Sequence, residues 1–167
     1  MMLSWTTDTP VGAFTVLAEE STVYASGWTT DLESMVAVMA PQLRPQAIEA
    51  ADDLGEISRA VRSYVDGDLN AINGILVRQS SGPFIRHAWD VLRAVPAGTT
   101  ITYGAFAAKC GRPTAVRAAA GACSRNAAAL FVPCHRVIAA TGSLHHFRWG
   151  LDPKGWLLRH EAWAAAA

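Results

Sequence analysis

The sequence predicts a chain of mixed class, in which a small α/β unit over residues 1–78 precedes a mostly helical unit over residues 84–167. Alternating apolar stretches in the first half predict strands, whereas apolar residues at helical spacing dominate the second half. Between them, residues 79–83 are polar and turn-forming and predict a linker. The charge changes sign there. Residues 1–83 hold four arginines and eleven acidic residues, a net charge of −7, and the remaining chain holds ten basic and three acidic residues, +7.

The strands of the first half follow from short alternating patterns. The segment from Thr9 to Ala18 predicts a turn that leads into a short alternating strand, and a second strand around residues 23–28 would pair with it as a hairpin. Residues 72–77 predict a third strand. The expected sheet therefore has three strands.

Two helices are predicted in the same half from apolar residues that recur every three or four positions. The first covers residues 32–39, with Asp31 as its cap and Pro41 as its end. The second covers residues 54–65 and ends at Gly67. No pattern in this half indicates chemistry, so its expected role is structural.

The second half opens with a predicted helix over residues 84–95, which Pro96-Ala97-Gly98 ends. Its apolar face is expected to consist of Phe84, Ile85, Ala88, Val91, Leu92 and Val95, and its exposed face of Arg86, His87, Asp90 and Arg93. An amphipathic helix of this kind packs one face on a core and leaves the other in solvent.

A helix-turn-helix pattern follows. Residues 102–110 predict a short helix, Gly111-Arg112-Pro113 a tight turn, and residues 114–123 a second helix made mostly of alanine. Arg117 is the only long polar side chain on that second helix. A smooth helix with one arginine suits close approach to DNA, including the narrow minor groove, and it equally suits a core helix with one solvated arginine. The pattern alone leaves both interpretations open.

The last predicted helix covers residues 154–163 and opens at Asp152-Pro153, where the acid would be the cap. Glu161 lies three and four positions after two leucines, on the stripe expected to be buried. A buried acid needs a partner. His135 is the expected partner. The alternative is a glutamate at the helix edge that reaches solvent or pairs with Arg159.

Composition places the protein among ordinary globular chains. It has 167 residues, of which 51% are hydrophobic and 17% charged, so disorder is not expected. The three cysteines, at positions 110, 123 and 134, are an odd number and predict a reduced, cytoplasmic protein rather than a disulfide framework. Neither a leader peptide nor a membrane-spanning run is predicted, so a soluble protein without a membrane partner is expected.

The charge separation bears on possible partners. The basic half, which also holds all five histidines, is a candidate binder of polyanions such as nucleic acid. Alternatively, the opposite charges only help the two halves to pack against each other.

The candidate catalytic group is Cys134. An apolar run, Leu130-Phe131-Val132, leads into Pro133-Cys134-His135-Arg136-Val137. A thiol reacts as its thiolate and needs a base or a positive field nearby, and His135 and Arg136 supply both. The alternative is a buried structural cysteine at the end of a strand, with two charged neighbours.

The five residues from Pro133 to Val137 resemble the active-site signature of the O6-alkylguanine-DNA alkyltransferases, which repair alkylated guanine by taking the alkyl group onto their own cysteine. The resemblance is strong over residues 84–163 and weak over the first half, where Thr9-Pro10-Val11-Gly12 carries it. It also rests on Phe84 and Trp89, on Ile101-Thr102-Tyr103-Gly104, Ala115-Val116-Arg117-Ala118 and Asn126, and on residues 154–161. Arg148-Trp149-Gly150 is similar to the C-terminal domain of the bacterial Ada protein.

This resemblance implies roles around the cysteine. Cys134 would accept the alkyl group, His135 would act as the base through a water, and Glu161 would orient His135. Asn126 would hold the turn before the cysteine.

It also implies how DNA is bound. Tyr103 would help to rotate the target nucleotide out of the duplex and would protonate the departing guanine, while Arg117 would fill the vacated place in the base stack. Further implied DNA contacts are Thr102, Ala115, Ala118, Arg125 and Arg136. The implied pocket residues are Val137, His145, His146, Phe147, Arg148 and Trp149.

The family further implies an RNase H-like first unit and, as partner, double-stranded DNA that carries O6-alkylguanine. We expect a monomer that uses no cofactor and, since residues 1–83 contain neither cysteine nor histidine, no structural metal. One stretch departs from the family, which usually has Gly-Tyr or a close variant before Gly150. Here His145-His146-Phe147 stands in its place.

Two other functions are weighed against alkyl transfer. An alkyltransferase-like protein would flip and flag alkylguanine without repairing it, but such proteins lack the acceptor cysteine that Cys134 supplies. A cysteine hydrolase or thiol-redox enzyme would use the same Cys-His pair and would not need Arg117 on an alanine-rich helix.

Overall fold

Seven strands and six helices form the structure, a computed structural model that describes every residue from 1 to 167. The strands are β1 (Met2–Thr9), β2 (Gly12–Glu19), β3 (Thr22–Gly27), β4 (Ile48–Ala50), β5 (Leu76–Val77), β6 (Ile101–Thr102) and β7 (Val137–Ile138). The helices are α1 (Leu32–Val38), α2 (Glu56–Val65), α3 (Pro83–Ala94), α4 (Tyr103–Lys109), α5 (Val116–Ser124) and α6 (Leu151–Ala166). The result is a mixed α/β fold.

Five strands form one sheet in the order β4-β1-β2-β3-β5. β1, β2 and β3 are an antiparallel meander, and β4 and β5 add parallel strands at its two edges. The predicted hairpin of β2 and β3 is confirmed. Thr9-Pro10-Val11-Gly12 joins β1 to β2, and its turn needs the glycine, which has a φ of 111°.

The expected number of three strands is wrong. β1 was not predicted because its last four residues, Thr6 to Thr9, are all polar and break the apolar alternation, and β4 is only three residues long. The strand predicted over residues 72–77 shrinks to Leu76–Val77, since the residues before it form turns.

The central strand β2 is buried on both faces. Phe14, Val16 and Ala18 belong to the main hydrophobic cluster, whereas Leu17 belongs to a second cluster that includes Met35 of α1. Because successive side chains along a strand point to opposite faces, the sheet separates these two clusters.

The two helices predicted in the first half are confirmed, with ends that differ by at most two residues. Asp31 caps α1 by accepting hydrogen bonds from the N–H groups of Glu33 and Ser34 at 3.1 and 3.4 Å. α2 is followed by Gly67, which has a φ of 110°.

Helix α3 is amphipathic as predicted, with two differences. Trp89 is also buried, and its Nε1 donates to the carbonyl of Ala122 at 2.8 Å, which joins α3 to α5. Arg93, expected in solvent, donates to the carbonyls of Asn73 and Ile75 at 3.2 and 2.9 Å.

Ser26 of β3 connects the sheet to the segment that precedes Cys134. Its N–H donates to the carbonyl of Ala127 at 2.9 Å, and its hydroxyl donates to the carbonyl of Ala129 at 2.6 Å. The main hydrophobic cluster also combines residues of both halves of the chain. Residues 126–137 are buried without interruption.

Helix α6 begins earlier and ends later than predicted. Gly150, at a φ of 104°, precedes it, so Asp152 lies in the first turn and is not the cap. A negative charge in the first turn still interacts favourably with the helix dipole. The structure contains no helix with the length and apolar character that a membrane span requires.

Candidate active site

Cys134 begins a short 3₁₀ turn that directly follows Pro133. The residue is 9% exposed, and it lines a cleft of about 760 Å³. The cleft lies between α5, the start of α4 and the loop before α6. Its lining residues are Tyr103, Val116, Arg117, Ala120, Gly121, Cys123, Ser124, Asn126, Ala129, Cys134, His145, His146, Phe147, Arg148 and Trp149.

Asn126 is hydrogen-bonded through both ends of its side-chain amide. Nδ2 donates to the carbonyl of Val132 at 2.7 Å and to Sγ of Cys134 at 3.2 Å. Oδ1 accepts from the N–H of Ala128 at 3.0 Å and from Nε2 of Gln79 at 2.9 Å. Asn126 therefore ties the turn to the sulfur atom, and the bond to sulfur favours the thiolate.

His135, Arg136 and Glu161 form one buried group. Nε2 of His135 is hydrogen-bonded to Oε1 of Glu161. Nε of Arg136 donates to both carboxylate oxygens at 3.1 and 3.0 Å, and a terminal nitrogen donates to Oε2 at 2.7 Å. The structure thus brings Glu161 to His135, as expected, and not to Arg159.

The charges of this group determine the state of the imidazole. Burial raises the pKa of Glu161, but His135 and Arg136 outweigh burial and hold the pKa at about 2. Burial lowers the pKa of His135 even though Glu161 opposes the shift. A neutral imidazole beside a carboxylate donates from Nε2, which leaves Nδ1 with its lone pair. Nδ1 is buried and has no hydrogen-bond partner, so it is available to accept a proton.

The thiol and the phenol in the cleft are both protonated at neutral pH. Burial raises the pKa of Cys134, although the N–H of Asn126 and the charge of Lys154 oppose the shift. Burial, with the nearby cysteines, raises the pKa of Tyr103 to about 12. A thiolate at Cys134 therefore requires a base, and the phenol of Tyr103 keeps a proton that it can donate.

The two histidines of the loop before α6 both line the cleft. The ring of His145 lies edge-on to that of Tyr103, with centroids 5.4 Å apart, and the rings of His145 and His146 are 4.1 Å apart. His145 has a φ of 65°, which is uncommon for a residue other than glycine.

The rest of this loop contacts the main hydrophobic cluster, the end of α5 and strand β3. Phe147 packs against the main hydrophobic cluster, and Arg148 donates to the carbonyl of Ser124 at 2.7 Å. The ring of Trp149 lies so close to Gly27 that a Cβ there would be 2.3 Å from the ring. Gly27 thus leaves space for the indole.

Lys154 was not expected at the site. It is fully buried, and its Nζ donates to the carbonyls of Val137 and His146 at 2.8 and 3.0 Å. The only signal in the sequence is its position on the buried stripe of α6, three residues before Leu157. Val137, expected in the pocket, is buried and does not line the cleft, because its side chain belongs to the core.

The residues expected to contact DNA differ in exposure. Arg117, Ala118 and Arg125 are exposed on or beside α5, and Arg117 also lines the cleft. The hydroxyl of Thr102 accepts from a backbone N–H of α4 at 3.1 Å and caps that helix. Ala115 is half-buried just before α5.

The expected DNA contact from Arg136 is wrong. Only 3% of the residue is exposed, and besides Glu161 it binds the carbonyl of Val95 at 2.7 Å. A buried guanidinium whose donors are held by a carboxylate and a carbonyl does not reach a phosphate, so Arg136 belongs to the support of His135.

Three kinds of comparison relate the chain to known proteins. Residues 83–163 match the family model described as 6-O-methylguanine DNA methyltransferase, DNA binding domain. The chain is 35% identical over 158 residues to a methylated-DNA–protein-cysteine methyltransferase of Shigella flexneri. The alignment covers 93% of this chain and 92% of that protein. It is 46% identical over 79 residues to the bifunctional transcriptional activator/DNA repair enzyme Ada of Escherichia coli strain K12, over 47% of this chain and 22% of Ada. The crystal structure of Mycobacterium tuberculosis OGT in complex with DNA matches with a TM-score of 0.78 and 26% identity, over 97% of this chain and 94% of that one.

Proposed function

Because the chain belongs to the family of the methylated-DNA–protein-cysteine methyltransferases, we propose that Cys134 is the residue that accepts the alkyl group. The protein is a DNA repair methyltransferase. One observation carries the assignment of the acceptor: Cys134 lines the cleft, and the next residue, His135, has a free Nδ1 while Glu161 holds the other ring nitrogen.

The proposed reaction uses these groups in order. The thiol proton passes through a bridging water to Nδ1 of His135, and Glu161 stabilises the imidazolium that forms. The thiolate attacks the alkyl carbon of O6-alkylguanine, so that an S–C bond forms while the C–O bond breaks. The electron pair of the broken bond stays on guanine, which Tyr103 protonates. Because a thioether has no easy route back to the thiol, each molecule reacts once.

The proposed DNA-binding element is a helix-turn-helix formed by α4 and α5. Guanine within a duplex is out of reach of Cys134, so the nucleotide must be extruded, which costs a few kcal/mol. Arg117 is exposed on α5 and lines the same cleft as Cys134, which supports a role in filling the gap in the base stack. Thr102, Ala115, Ala118 and Arg125 are the further proposed contacts.

Intact-protein mass after mixing with a duplex that carries O6-methylguanine tests the function. We expect one added methyl group per molecule, mapped to Cys134, and no further gain with excess duplex. Cys134→Ser should still bind the duplex without gaining mass. Binding by the parent without a mass gain would instead fit an alkyltransferase-like protein, and turnover of small substrates would fit a cysteine hydrolase.

The same proposal extends to the organisation of the protein. We propose a monomer of the cytoplasm, in which residues 1–78 form an RNase H-like unit and residues 84–167 bind DNA and carry the chemistry. All three cysteines are free thiols, and a reducing compartment keeps the acceptor in the form that reacts.

A further inference from the structure

A glutamine far from the cysteine motif completes the hydrogen bonds around Asn126. Gln79 lies between β5 and α3, in the segment predicted to be a linker. Its Nε2 donates to Oδ1 of Asn126 at 2.9 Å, and its Oε1 accepts from the N–H of Ala127 at 2.8 Å. One side chain therefore holds two consecutive residues of the segment that leads to Cys134.

These bonds determine which way the amide of Asn126 faces. An amide has an acceptor oxygen on one side and two donors on the other. With Gln79 and the N–H of Ala128 both donating to Oδ1, Nδ2 must face Val132 and Cys134. A reversed amide would place its oxygen against the sulfur and the carbonyl. Asn126 is 3% exposed, so solvent does not replace a lost partner.

We propose that Gln79 is a positioning residue, which keeps the N–H of Asn126 directed at Sγ of Cys134 and so favours the reactive thiolate. The proposal rests on the acceptor role of Cys134 proposed above. A hydrogen bond donated to the charged form of a group stabilises that form. The other titratable or charged groups that act on Cys134 are Lys154, Arg148, Tyr103 and Cys123, and His135 is the next residue in the chain. The side chain of Gln79 is hydrogen-bonded to Asn126 and Ala127 and to none of these groups.

Two substitutions separate the roles of the Gln79 amide. Gln79→Glu keeps the acceptor for the N–H of Ala127 and removes the donor to Asn126. Gln79→Leu removes both bonds without adding a charge. Gln42→Glu is a matched control, because Nε2 of Gln42 donates to Oγ of Ser80 in the same segment at 2.8 Å and has no bond to Asn126.

The readout is the rate at which iodoacetamide alkylates Cys134, measured against pH and assigned by peptide mapping. For both Gln79 variants we expect the midpoint of this profile to rise by about one pH unit, since one hydrogen bond to a charged group changes an ionisation equilibrium by about tenfold. Methyl transfer from the duplex at neutral pH should fall by a similar factor, with unmodified-duplex binding unchanged. Gln42→Glu should behave as the parent.

A lower melting temperature with an unchanged midpoint in both variants would mean that Gln79 only stabilises the fold, and it would overturn the proposal. So would additive effects in the double variant with Asn126→Ala, because Gln79 is proposed to act through Asn126. Iodoacetamide requires no DNA. Failure of the proposed function would therefore appear separately, as a parent protein with the expected pH profile that takes no methyl group from the duplex.

Discussion

At the scale of single residues, the site depends on one buried carboxylate. Glu161 contacts the ring of His135 and the guanidinium of Arg136, and all three side chains are shielded from solvent. Arg136 keeps the carboxylate ionised, and the ionised carboxylate fixes the ring nitrogen that donates. Arg136 therefore acts through Glu161 to determine that Nδ1 is the free nitrogen of His135.

Glu161 should make stability sensitive to acid. Its pKa falls from 4.5 to about 2 on folding, so its contribution is complete above pH 4.5 and is lost as the pH falls towards 2. A shift of this size corresponds to about 3 kcal/mol. Denaturant titrations at each pH measure the free energy of unfolding. Between pH 4.5 and pH 2 we expect this free energy to fall by about 3 kcal/mol more in the parent than in Glu161→Gln. Parallel curves would contradict this.

Arg136 should matter for stability and not for DNA contact. Arg136→Ala leaves Glu161 buried with one partner fewer, and breaking a buried ion pair costs about 3–5 kcal/mol. The exposed Arg125 is the control, since Arg125→Ala should change stability by less than about 0.5 kcal/mol. Chemical denaturation of both variants measures the difference. Equal, small losses would show that the Arg136–Glu161 pair contributes nothing.

The sequence predicts some site residues well and others not at all, for a physical reason. Cys134 and His135 lie in one motif, and the spacing of α6 places Glu161 on a buried face. Gln79 becomes visible only in three dimensions, because Asn126 lies 47 residues away along the chain. For Lys154 the sequence shows only that it lies on the buried stripe of α6, and its two carbonyl partners come from the structure.

At the scale of elements, the loop before α6 determines how much room the cleft offers. A methyl group needs little space and a benzyl group much more, and a packed wall penalises the excess by about 1–3 kcal/mol, or about tenfold or more in rate. His145 and His146 line that wall. We expect slow inactivation by free O6-benzylguanine and faster inactivation of His145→Gly and His146→Gly.

The backbone of the loop supplies a control. His145 has a positive φ that glycine adopts without strain, so His145→Ala removes the imidazole while keeping the unfavourable backbone. If the rate of inactivation by O6-benzylguanine rises equally in His145→Ala and His145→Gly, the imidazole ring is what limits entry of the benzyl group. Equal rates in the parent and every variant would show that neither histidine limits the cleft.

Helix α5 leads to a second test. If Arg117 fills the gap left by an extruded nucleotide, Arg117→Ala should slow methyl transfer from duplex DNA more than reaction with free O6-methylguanine, since only the duplex leaves a gap. The ratio of the two rate constants measures this. Arg159→Ala, exposed on α6, should leave the ratio unchanged. Equal losses with both substrates would contradict the role of Arg117.

Elements were predictable where local pattern and packing agree. The helices of the first half follow from their apolar spacing and from the cap at Asp31. The edge strands β4 and β5 do not, because they contain three and two residues and owe their existence to the strands beside them. The start of α6 depends on the backbone conformation of Gly150, which no residue pattern specifies.

At the scale of the whole molecule, the acidic and basic halves meet at the site. Ser26 of the sheet holds the segment before Cys134, Gln79 holds Asn126, and Arg93 returns to carbonyls of the first half. The first half was expected to have a structural role without chemistry. Its contacts nevertheless reach Sγ of Cys134 through one intervening residue, Asn126, and the charge pattern gives no sign of them.

Alkylation should destabilise the whole molecule. Sγ belongs to a run of 12 consecutive buried residues, 126–137, and a methyl group on it crowds the amide of Asn126 at 3.2 Å and weakens the bond to the sulfur. Overpacking costs about 1–3 kcal/mol, and each kcal/mol lowers the melting temperature by about 2–4 °C in a chain of this size. We expect the protein to melt several degrees lower after reaction with an O6-methylguanine duplex than after mixing with unmodified duplex. Cys134→Ser should show no difference, and coincident curves for the parent would contradict the expectation.

Because Cys134 is buried, the melting temperature of the protein should distinguish reacted from unreacted molecules. A partly reacted sample should melt in two steps, and the amplitude of the lower step gives the fraction of molecules that have reacted. Because each molecule reacts with one lesion, that amplitude counts lesions. The melting curve of the protein would then serve as a dosimeter for alkylated DNA, with no label and no separate assay of the nucleic acid.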